Sequence, residues 1–361
     1  MKVKSLNIQA VKVPLEKPIP SGRMVIYSAD ALLITLRADD HFGEGMVFTL
    51  NGVRLGLIRE MILSLEHLLI DRNISSHGDF IATVWRELVF LGQRGVGAIA
   101  LSALDMALWD LKAKLANQNV SQLLGVVKNS LPMYRSGGLR LSATIPELEV
   151  EAAQLVTEGF KAIKMSLGSK KIADDVARVK AVRQTIGEEI ELMTDCNQQL
   201  SVSHAIRLGR QLEEFQLAWI EEPVVFSDHH GEAQIAAALD TPIASGENEF
   251  TALGMMEMLE KKSVDILMPD LQRMGGPTEL LKVAHLAKAA NIAIAPHLFT
   301  QMSLPLAASM TNAIYVEYMP WFSPLYQEQL VLNTDGTVNV PTNPGWGFQF
   351  DQSSIKQFLY K

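Results

Sequence analysis

Seven polar residues recur along the chain at the ends of short apolar runs. Successive members of this set are separated by 20 to 31 residues, which is about the length of one strand–helix unit. They are Lys164, Asp195, Glu221, Glu247, Asp270, His297 and Glu317. Because the carboxyl ends of parallel strands in a closed barrel meet at one mouth, this spacing predicts that the seven side chains converge.

Three consecutive members of the set are acidic, and together they predict a metal site. Asp195, Glu221 and Glu247 would repel one another, and burial without a counter-charge would favour their neutral forms. A divalent cation removes this conflict, and oxygen ligands without Cys or paired His favour Mg2+ over Zn2+. Each acid could alternatively cap the helix that follows it. Three acidic strand ends in a row favour the metal, with one Mg2+ per subunit.

His297 and Asp270 predict a general base on the other side of the mouth. A carboxylate one strand–helix unit away can orient the imidazole, fix its tautomer and raise its basicity. Such an imidazole can abstract a proton near neutral pH. Lys164 would place a positive charge beside a substrate carboxylate, and Glu317 would offer that group a proton or a hydrogen bond. All four residues are therefore predicted to be catalytic, with a small-molecule carboxylate as the partner.

The elements that would position these residues are eight short β-type runs, and all but the last are followed by a helical segment. The runs are 131–136, 162–166, 190–195, 218–221, 242–246, 265–268, 292–296 and 314–317. A repeated strand–helix unit implies parallel strands, because each return needs a crossover. Eight such strands close most simply into an α/β barrel of the (β/α)8 type.

The first part of the chain has a different pattern, which predicts a separate α+β unit. Strands are predicted at 2–13 and 31–37, joined by a loop at 18–22, with helices near 53–70, 77–91 and 96–117. In the tail, Asp335-Gly336 between apolar runs indicates a hairpin that packs back on this unit. The predicted domains are 1–127, 128–325 and 326–361.

Composition excludes several classes of protein. The chain has 361 residues, of which 48% are hydrophobic, and its single cysteine excludes an intramolecular disulfide framework. A net charge of -8 argues against a nucleic-acid surface, which needs a basic patch. No apolar run reaches the ~18 residues of a membrane span, and the first residues have the pattern of a strand rather than of a signal peptide. A cytoplasmic enzyme without nucleic-acid or membrane partners is predicted.

Several short stretches resemble the mandelate racemase subgroup of the enolase superfamily. Its strand-end motifs are similar to KAIKMSLG, MTDCNQ, WIEEP, SGEN, PDLQRMGG, PHLF and YVEYM, and its capping helix and tail to SALDMALWDLKAK and PGWG. The resemblance implies a (β/α)7β TIM-like barrel under an N-terminal α+β capping domain that the C-terminal tail completes. It also implies Mg2+ on the three acids, proton abstraction by His297 with Asp270, and a homo-oligomer.

The chain departs from the subgroup at one position. Racemases of this kind carry Lys-x-Lys on strand two, whereas this sequence has Lys164-Met165-Ser166. Serine is not basic near pH 7 without an activating neighbour, so a two-base racemisation is disfavoured. The resemblance then implies a dehydratase of sugar acids, either aldonates or aldarates. In that reaction His297 takes the α-proton and, once protonated, helps the β-hydroxyl leave, giving a 2-keto-3-deoxy acid.

Two alternatives stay open at this point, together with the substrate contacts. One is a racemase or epimerase that uses another base, such as Lys170 or Lys171; the other is a non-catalytic, metal-binding homologue. Five residues are predicted to contact substrate. Ser136 matches a family position on the substrate carboxylate, Ser166 and Asn197 lie at strand ends, and two more lie in capping-domain loops: Arg23 and Asn51.

Overall fold

The computed structural model describes residues 1–21 and 24–360. It begins with an antiparallel sheet of three strands in the order β1-β2-β3: β1 (Ser5–Ser21), β2 (Met24–Ala38) and β3 (His41–Leu50). The predicted loop at 18–22 was wrong at 18–21, because β1 runs through Pro18 and Pro20 to Ser21, with a register shift between Pro14 and Ile19. Gly22, the last residue of that prediction, lies outside the described residues. The sequence also gave no indication of β3.

Five α-helices follow this sheet: α1 (Leu55–Ser64), α2 (Glu66–Leu69), α3 (His77–Glu87), α4 (Val96–Leu115) and α5 (Val120–Leu124). Helix α4 is buried on most of its surface and lies across β3. Two glycines of β3 allow this close approach. A Cβ atom at Gly43 or Gly45 would come closer than 3.0 Å to the carbonyl oxygen of Ala107 or Ala103, respectively.

The second part of the chain is a parallel barrel. Its strands are β4 (Ser130–Arg135), β5 (Ala162–Ser166), β6 (Glu191–Asp195), β7 (Trp219–Glu221), β8 (Ile243–Ser245), β9 (Ile266–Leu267), β10 (Ala293–Ile294) and β11 (Val316–Tyr318). Strands β4 to β10 lie side by side in chain order, and β11 pairs with β4. A parallel bridge between Ile294 and Ala313 joins β10 to the segment before β11, which closes the barrel.

Each of the first seven barrel strands is followed by an α-helix, and the eighth by a 3-10 helix. The α-helices are α6 (Ile145–Thr157), α7 (Ile172–Ile186), α8 (Val202–Leu212), α9 (His229–Ala236), α10 (Thr251–Lys261), α11 (Pro277–Ala289) and α12 (Thr300–Ala307). The 3-10 helix after β11 spans Pro320–Leu325, and three others are Ile74–Ser76, Leu88–Phe90 and Glu213–Phe215. The predicted (β/α)7β barrel is confirmed, and all eight predicted runs overlap a strand.

The C-terminal tail returns to the N-terminal sheet and helices. The predicted hairpin forms, with an antiparallel bridge between Leu332 and Val338, but its strand β12 (Thr337–Asn339) pairs with β4 of the barrel and not with the N-terminal unit. Helix α13 (Gln352–Phe358) lies against β1. Between them, the backbone N–H of Trp346 donates to Asp110 of α4 over 2.8 Å, and its indole N–H donates to the carbonyl of Glu44 over 3.1 Å. Among the described residues, no helix has both the length and the apolar character needed to cross a bilayer. The domain boundaries stay a prediction.

Candidate active site

A two-residue offset places the candidate side chains above the packed interior of the barrel. Inward-facing residues fill the barrel, and their side chains include Tyr134, Ala162, Met193, Trp219, Met268, Ala295 and Tyr315. Because side chains on a strand alternate with a period of two, the second residue after each of these lies on the same face. Those positions are Ser136, Lys164, Asp195, Glu221, Asp270, His297 and Glu317.

Glu247 does not follow this offset, and a glycine explains why. Counting two residues from the inward-facing Ala244 gives Gly246, whose φ of +128° is a conformation that L side chains rarely adopt. The backbone turns there, and Glu247 meets the site from the loop that follows β8. Its carboxylate Oε2 lies 3.2 Å from Nε2 of His297. The spacing along the sequence therefore predicted the region in which Glu247 lies. The side chain reaches that region through the turn at Gly246 and not through strand alternation.

Lys164 is at the centre of the acidic side of the mouth. Its Nζ atom is 2.7 Å from Oε1 of Glu221, 3.3 Å from Oε1 of Glu317 and 3.8 Å from Oδ2 of Asp195. The strands set this arrangement, since Asp195 pairs directly with Glu221 in the β6–β7 register. The Lys164 ammonium also lies over the ring of Tyr134, with 5.4 Å to the ring centroid.

Burial and mutual repulsion control the ionisation of these carboxyl groups. Burial raises the pKa of Glu221 to about 8, with Lys164 opposing the rise and Asp195 and Glu247 adding to it. Burial also raises the pKa of Asp195, again with repulsion from Glu247. Glu317 behaves differently. Burial favours its neutral form, but Lys164, His297 and hydrogen bonds from Ser136 and from the Leu298 N–H together lower its pKa to about 2.

The donor set fits a divalent cation in its chemistry. Within residues 1–21 and 24–360, no three His, Cys, Asp or Glu side chains are arranged as they would be around a metal ion. The Lys164 ammonium and the His297 imidazole lie against the carboxylates instead. The raised pKa values of Asp195 and Glu221 indicate that this compensation is incomplete. Three oxygen-donor side chains that repel one another suit Mg2+, which takes carboxylate ligands.

His297 and Asp270 form a close pair on the opposite side. Nδ1 of His297 is 2.7 Å from Oδ2 of Asp270, and a parallel bridge joins the two residues. Asp270 is fully buried, and its other oxygen, Oδ1, accepts the backbone N–H groups of Gln272 and Arg273. Burial lowers the pKa of His297, but Glu247, Asp270 and Glu317 outweigh it and raise that pKa to about 10.

Three predicted substrate contacts lie at this mouth. Ser136 is buried at the end of β4, where its N–H donates to the carbonyl of Tyr318 over 3.0 Å. Ser166 ends β5, is half-buried and pairs with Asp195 in the strand register. Asn197 is exposed, and its N–H donates to Oδ1 of Asp195 over 2.8 Å. All three surround the carboxylates, and their contact with substrate stays a prediction.

The two capping-domain predictions have a different outcome. The side chain of Asn51 is used inside that domain: its Oδ1 accepts the N–H of Tyr27 over 2.7 Å, and its Nδ2 donates to the carbonyl of Val25 over 2.9 Å. These bonds satisfy the amide within the sheet, so the geometry favours a structural role for Asn51. Arg23 lies outside the described residues.

Glu222 is a residue whose position strand alternation did not predict. The period of two points it away from Glu221, towards the helix layer. Its φ of +40° interrupts the alternation, and its buried carboxylate accepts from Asn248 over 2.7 Å and from Gln198 over 2.9 Å. The same Asn248 amide contacts Glu247. Burial and repulsion by Glu247 raise the pKa of Glu222 well above its usual range.

Two family models match this chain. Residues 4–125 match the N-terminal domain of mandelate racemase and muconate lactonizing enzyme, and residues 147–354 match the enolase C-terminal domain-like family. The chain belongs to the enolase superfamily. The two matched regions of this enolase-superfamily chain correspond to the antiparallel N-terminal unit and to the barrel.

Named relatives of this enolase-superfamily chain act on sugar acids. The L-talarate/galactarate dehydratase of Salmonella typhimurium is 36% identical over 73% of this chain and 66% of its own length, just under two thirds. The 3,6-anhydro-alpha-L-galactonate cycloisomerase of Streptomyces coelicolor is 32% identical, with 89% of this chain and 90% of the relative aligned.

A solved structure covers the whole chain. The crystal structure of the L-talarate dehydratase of Polaromonas sp. JS666, in complex with Mg and L-glucarate, superposes with a TM-score of 0.92. It is 32% identical and covers 100% of this chain and 98% of that chain. The ion in that relative is the one that the carboxylates of this chain predict.

Proposed function

We propose that this chain is a Mg2+-dependent dehydratase of sugar acids, with diacid sugars of the talarate and galactarate type as the first substrates to test. The observation that carries the proposal is the His297–Asp270 pair facing Lys164 and three acidic side chains across one barrel mouth. The dehydratases among its relatives support the reaction class.

Asp195, Glu221 and Glu247 would hold the cation. When bound there, Mg2+ would supply fixed positive charge for a substrate carboxylate. Lys164 would direct its ammonium group at the same carboxylate, once Glu221 is shared with the cation. Ser136 and Glu317, which lie next to each other at this side of the mouth, would hydrogen-bond to it. Negative charge moves onto that carboxylate when its α-proton leaves, so these residues would stabilise the transition state more than the ground state.

His297 would act first as base and then as acid. With Nδ1 held by Asp270, its Nε2 atom is the one that faces the mouth, towards Glu247 and Glu317. Nε2 would take the α-proton, leaving the electron pair in the carbon–carbon bond to the carboxyl carbon. The same proton would then go to the β-hydroxyl as the carbon–oxygen bond breaks, releasing water. The enol product would tautomerise to a 2-keto-3-deoxy acid.

Ser166 favours dehydration over racemisation. Racemisation needs an acid and a base on opposite faces of the α-carbon, whereas the single His297 suffices for elimination. Lys170 and Lys171 both have exposed side chains in the loop before α7. Neither lies among the buried residues of the mouth, which supports His297 as the single base.

The test is a screen of mono- and diacid sugars with Mg2+ that measures 2-keto acid formation, repeated in D2O. We expect dehydration of one or a few diacid sugars and loss of turnover in His297→Asn. Exchange of the α-proton in both epimers without loss of water would support the racemase alternative. A His297→Asn variant that retains the function of the chain would support the non-catalytic alternative. The homo-oligomer and the cytoplasmic location stay predictions.

A further inference from the structure

We propose that Phe48 of the N-terminal sheet positions the His297–Asp270 pair. Phe48 does so through two contacts, one from its backbone and one from its ring. The inference rests on the proposed function only in calling His297 the base; the contacts themselves are independent of it. Phe48 is 8% exposed and lies near the end of β3, where the N-terminal unit meets the barrel.

The backbone contact leads to Asp270 in two hydrogen bonds. Strand β3 is at the edge of its sheet, so its outer N–H groups have no partner strand. The N–H of Phe48 donates over 3.0 Å to Oε1 of Gln272, a buried residue in the loop after β9. The backbone N–H of Gln272 in turn donates over 3.0 Å to Oδ1 of Asp270, whose other oxygen holds His297.

The ring contact acts on the chain segment that follows His297. The Phe48 ring lies 5.6 Å from that of Phe299 and 5.1 Å from that of Phe322, measured between centroids. Phe299 is two residues beyond His297. Aromatic pairs in these tilted and edge-on arrangements are stabilising beyond the area that they bury. The ring therefore holds the segment that carries the imidazole.

That segment needs external support because its backbone is strained. Leu298 and Phe299 both have φ of +51°, in the left-handed region, which is unfavourable for residues with a Cβ atom. Two consecutive strained residues persist only where their surroundings hold them. One support is the Leu298 N–H, which donates over 2.8 Å to Oε2 of Glu317. Further supports are the Ser303 hydroxyl, which donates over 2.9 Å to the carbonyl of Leu298, and the aromatic contact from Phe48.

The two contacts meet on one pair of side chains, which makes Phe48 a positioning residue. Asp270 fixes the direction of the imidazole, and the turn at 298–299 fixes its location. A displacement of about 1 Å at a catalytic group can lower the rate on the order of a hundredfold. Loosening either contact should therefore impair proton abstraction while leaving in place every side chain proposed to hold the cation, the proton or the substrate carboxylate.

The experiment compares Phe48→Leu, which removes the ring, with Gln272→Met, which removes the acceptor at nearly the same volume. Phe350→Leu is the matched control, because Phe350 is also buried and packs on an aromatic ring, that of Tyr326, at 5.3 Å. We expect kcat to fall about 10- to 100-fold in the first two variants. KM should change less than about threefold, and the control should keep both constants.

A second readout does not need turnover. The His297 Nδ1–H···Asp270 hydrogen bond should give a downfield proton resonance, identified by its loss in His297→Asn. We expect both variants, but not the control, to shift or broaden that resonance. If the wild type turns over no acid, the proposed function fails and the resonance alone decides the inference. If Phe48→Leu does not fold, Gln272→Met carries the test.

Three results would overturn the positioning role. They are an unchanged kcat in folded Phe48→Leu and Gln272→Met, an equal loss in Phe350→Leu, or an unperturbed Nδ1–H resonance in both variants. The first would show that the contacts do not affect proton abstraction, the second that any loosening of the aromatic core has the same effect. The third would show that the pair keeps its geometry without Phe48.

Discussion

Acidic groups outnumber basic groups at the barrel mouth. Two side chains that can carry positive charge, Lys164 and His297, lie against five carboxyl groups: Asp195, Glu221, Glu247, Asp270 and Glu317. Each cation lies within hydrogen-bond distance of a carboxylate, so neither is available to substrate without a rearrangement of charge. A divalent cation bound to Asp195, Glu221 and Glu247 would supply that rearrangement, because it would neutralise acids that the two side chains now contact.

Binding of Mg2+ should lower the pKa of His297. Without a cation, Glu247, Asp270 and Glu317 raise that pKa to about 10 despite burial, so the imidazole is protonated at neutral pH and cannot act as a base. A cation on Glu247 neutralises the carboxylate nearest to Nε2 of His297 and favours the neutral imidazole. NMR titration of the histidine ring protons with and without Mg2+, with His297→Asn for assignment, measures the change. An equal pKa in both titrations would contradict the assignment of Glu247 as a ligand.

Glu221→Gln should weaken Mg2+ binding at least about tenfold, because an amide replaces a charged ligand. Glu222→Gln is the matched control on the next position of the chain. The Glu222 carboxylate accepts from Asn248 and Gln198 and is not among the three proposed ligands, so this change leaves the ligand set intact. Calorimetric titration with Mg2+ compares the two variants. Equal losses of affinity would mean that the metal site does not distinguish these neighbouring acids.

The side chains that follow a strict period of two could be located from the sequence. Where the backbone breaks that period, spacing still located Glu247 at the mouth, but alternation did not predict the position of Glu222. Lys164, Asp195 and His297 each stand two residues beyond an inward-facing barrel residue. Glu222 and Glu247 are set by positive φ angles, at Glu222 itself and at Gly246. Such angles depend on packing between adjacent loops, which alternation of residue types does not encode.

At the scale of the elements, the barrel strands were predictable and β3 was not. Each barrel strand is a short apolar run between helices, and burial on both faces makes this pattern distinct. Strand β3 contains Gly43 and Gly45, and glycine is normally depleted in strands. Its glycines are present because α4 lies on the strand so closely that side chains there would collide with the helix backbone. The reason for the strand's composition is therefore a tertiary contact.

Gly45→Ala should destabilise the protein by about 1–3 kcal/mol, because the added Cβ would approach the carbonyl of Ala103 closer than 3.0 Å and force α4 away from β3. Gly56→Ala is the opposite case: it lies in α1 with nothing within 4 Å of the added Cβ, and it should stabilise by about 0.5–1 kcal/mol. Urea unfolding of both variants measures the difference. Two changes of the same sign would contradict the close packing of β3 on α4.

At the scale of the whole molecule, a buried ionic cluster joins the N-terminal unit to the tail. Asp110 of α4 accepts backbone N–H groups from Glu44 and Trp346, both over 2.8 Å, and the ammonium of Lys114 over 2.6 Å. The carboxylate of Glu44 lies 3.8 Å from the same Lys114 and accepts the N–H of Phe350 over 3.3 Å. Two acids thus share one lysine. The cluster connects segments about 300 residues apart in sequence, and its protonation should affect the stability of the whole fold.

Glu44→Gln should change the pH dependence of stability. Burial raises the pKa of Glu44 to about 7 from 4.5, with Asp110 adding to the rise and Lys114 opposing it. The folded state therefore binds more protons than the unfolded state between these values, and this group makes the wild type less stable as pH rises through that window. The glutamine variant has no carboxyl group that titrates at this position, so it lacks this loss of stability with rising pH. Its free energy of unfolding, relative to wild type, should increase by up to roughly 3 kcal/mol between pH 4.5 and 8. Denaturant unfolding at both pH values, with exposed Glu149→Gln as control, measures this difference. A relative stability that is the same at both pH values would mean that the tail is docked on an ionised Glu44.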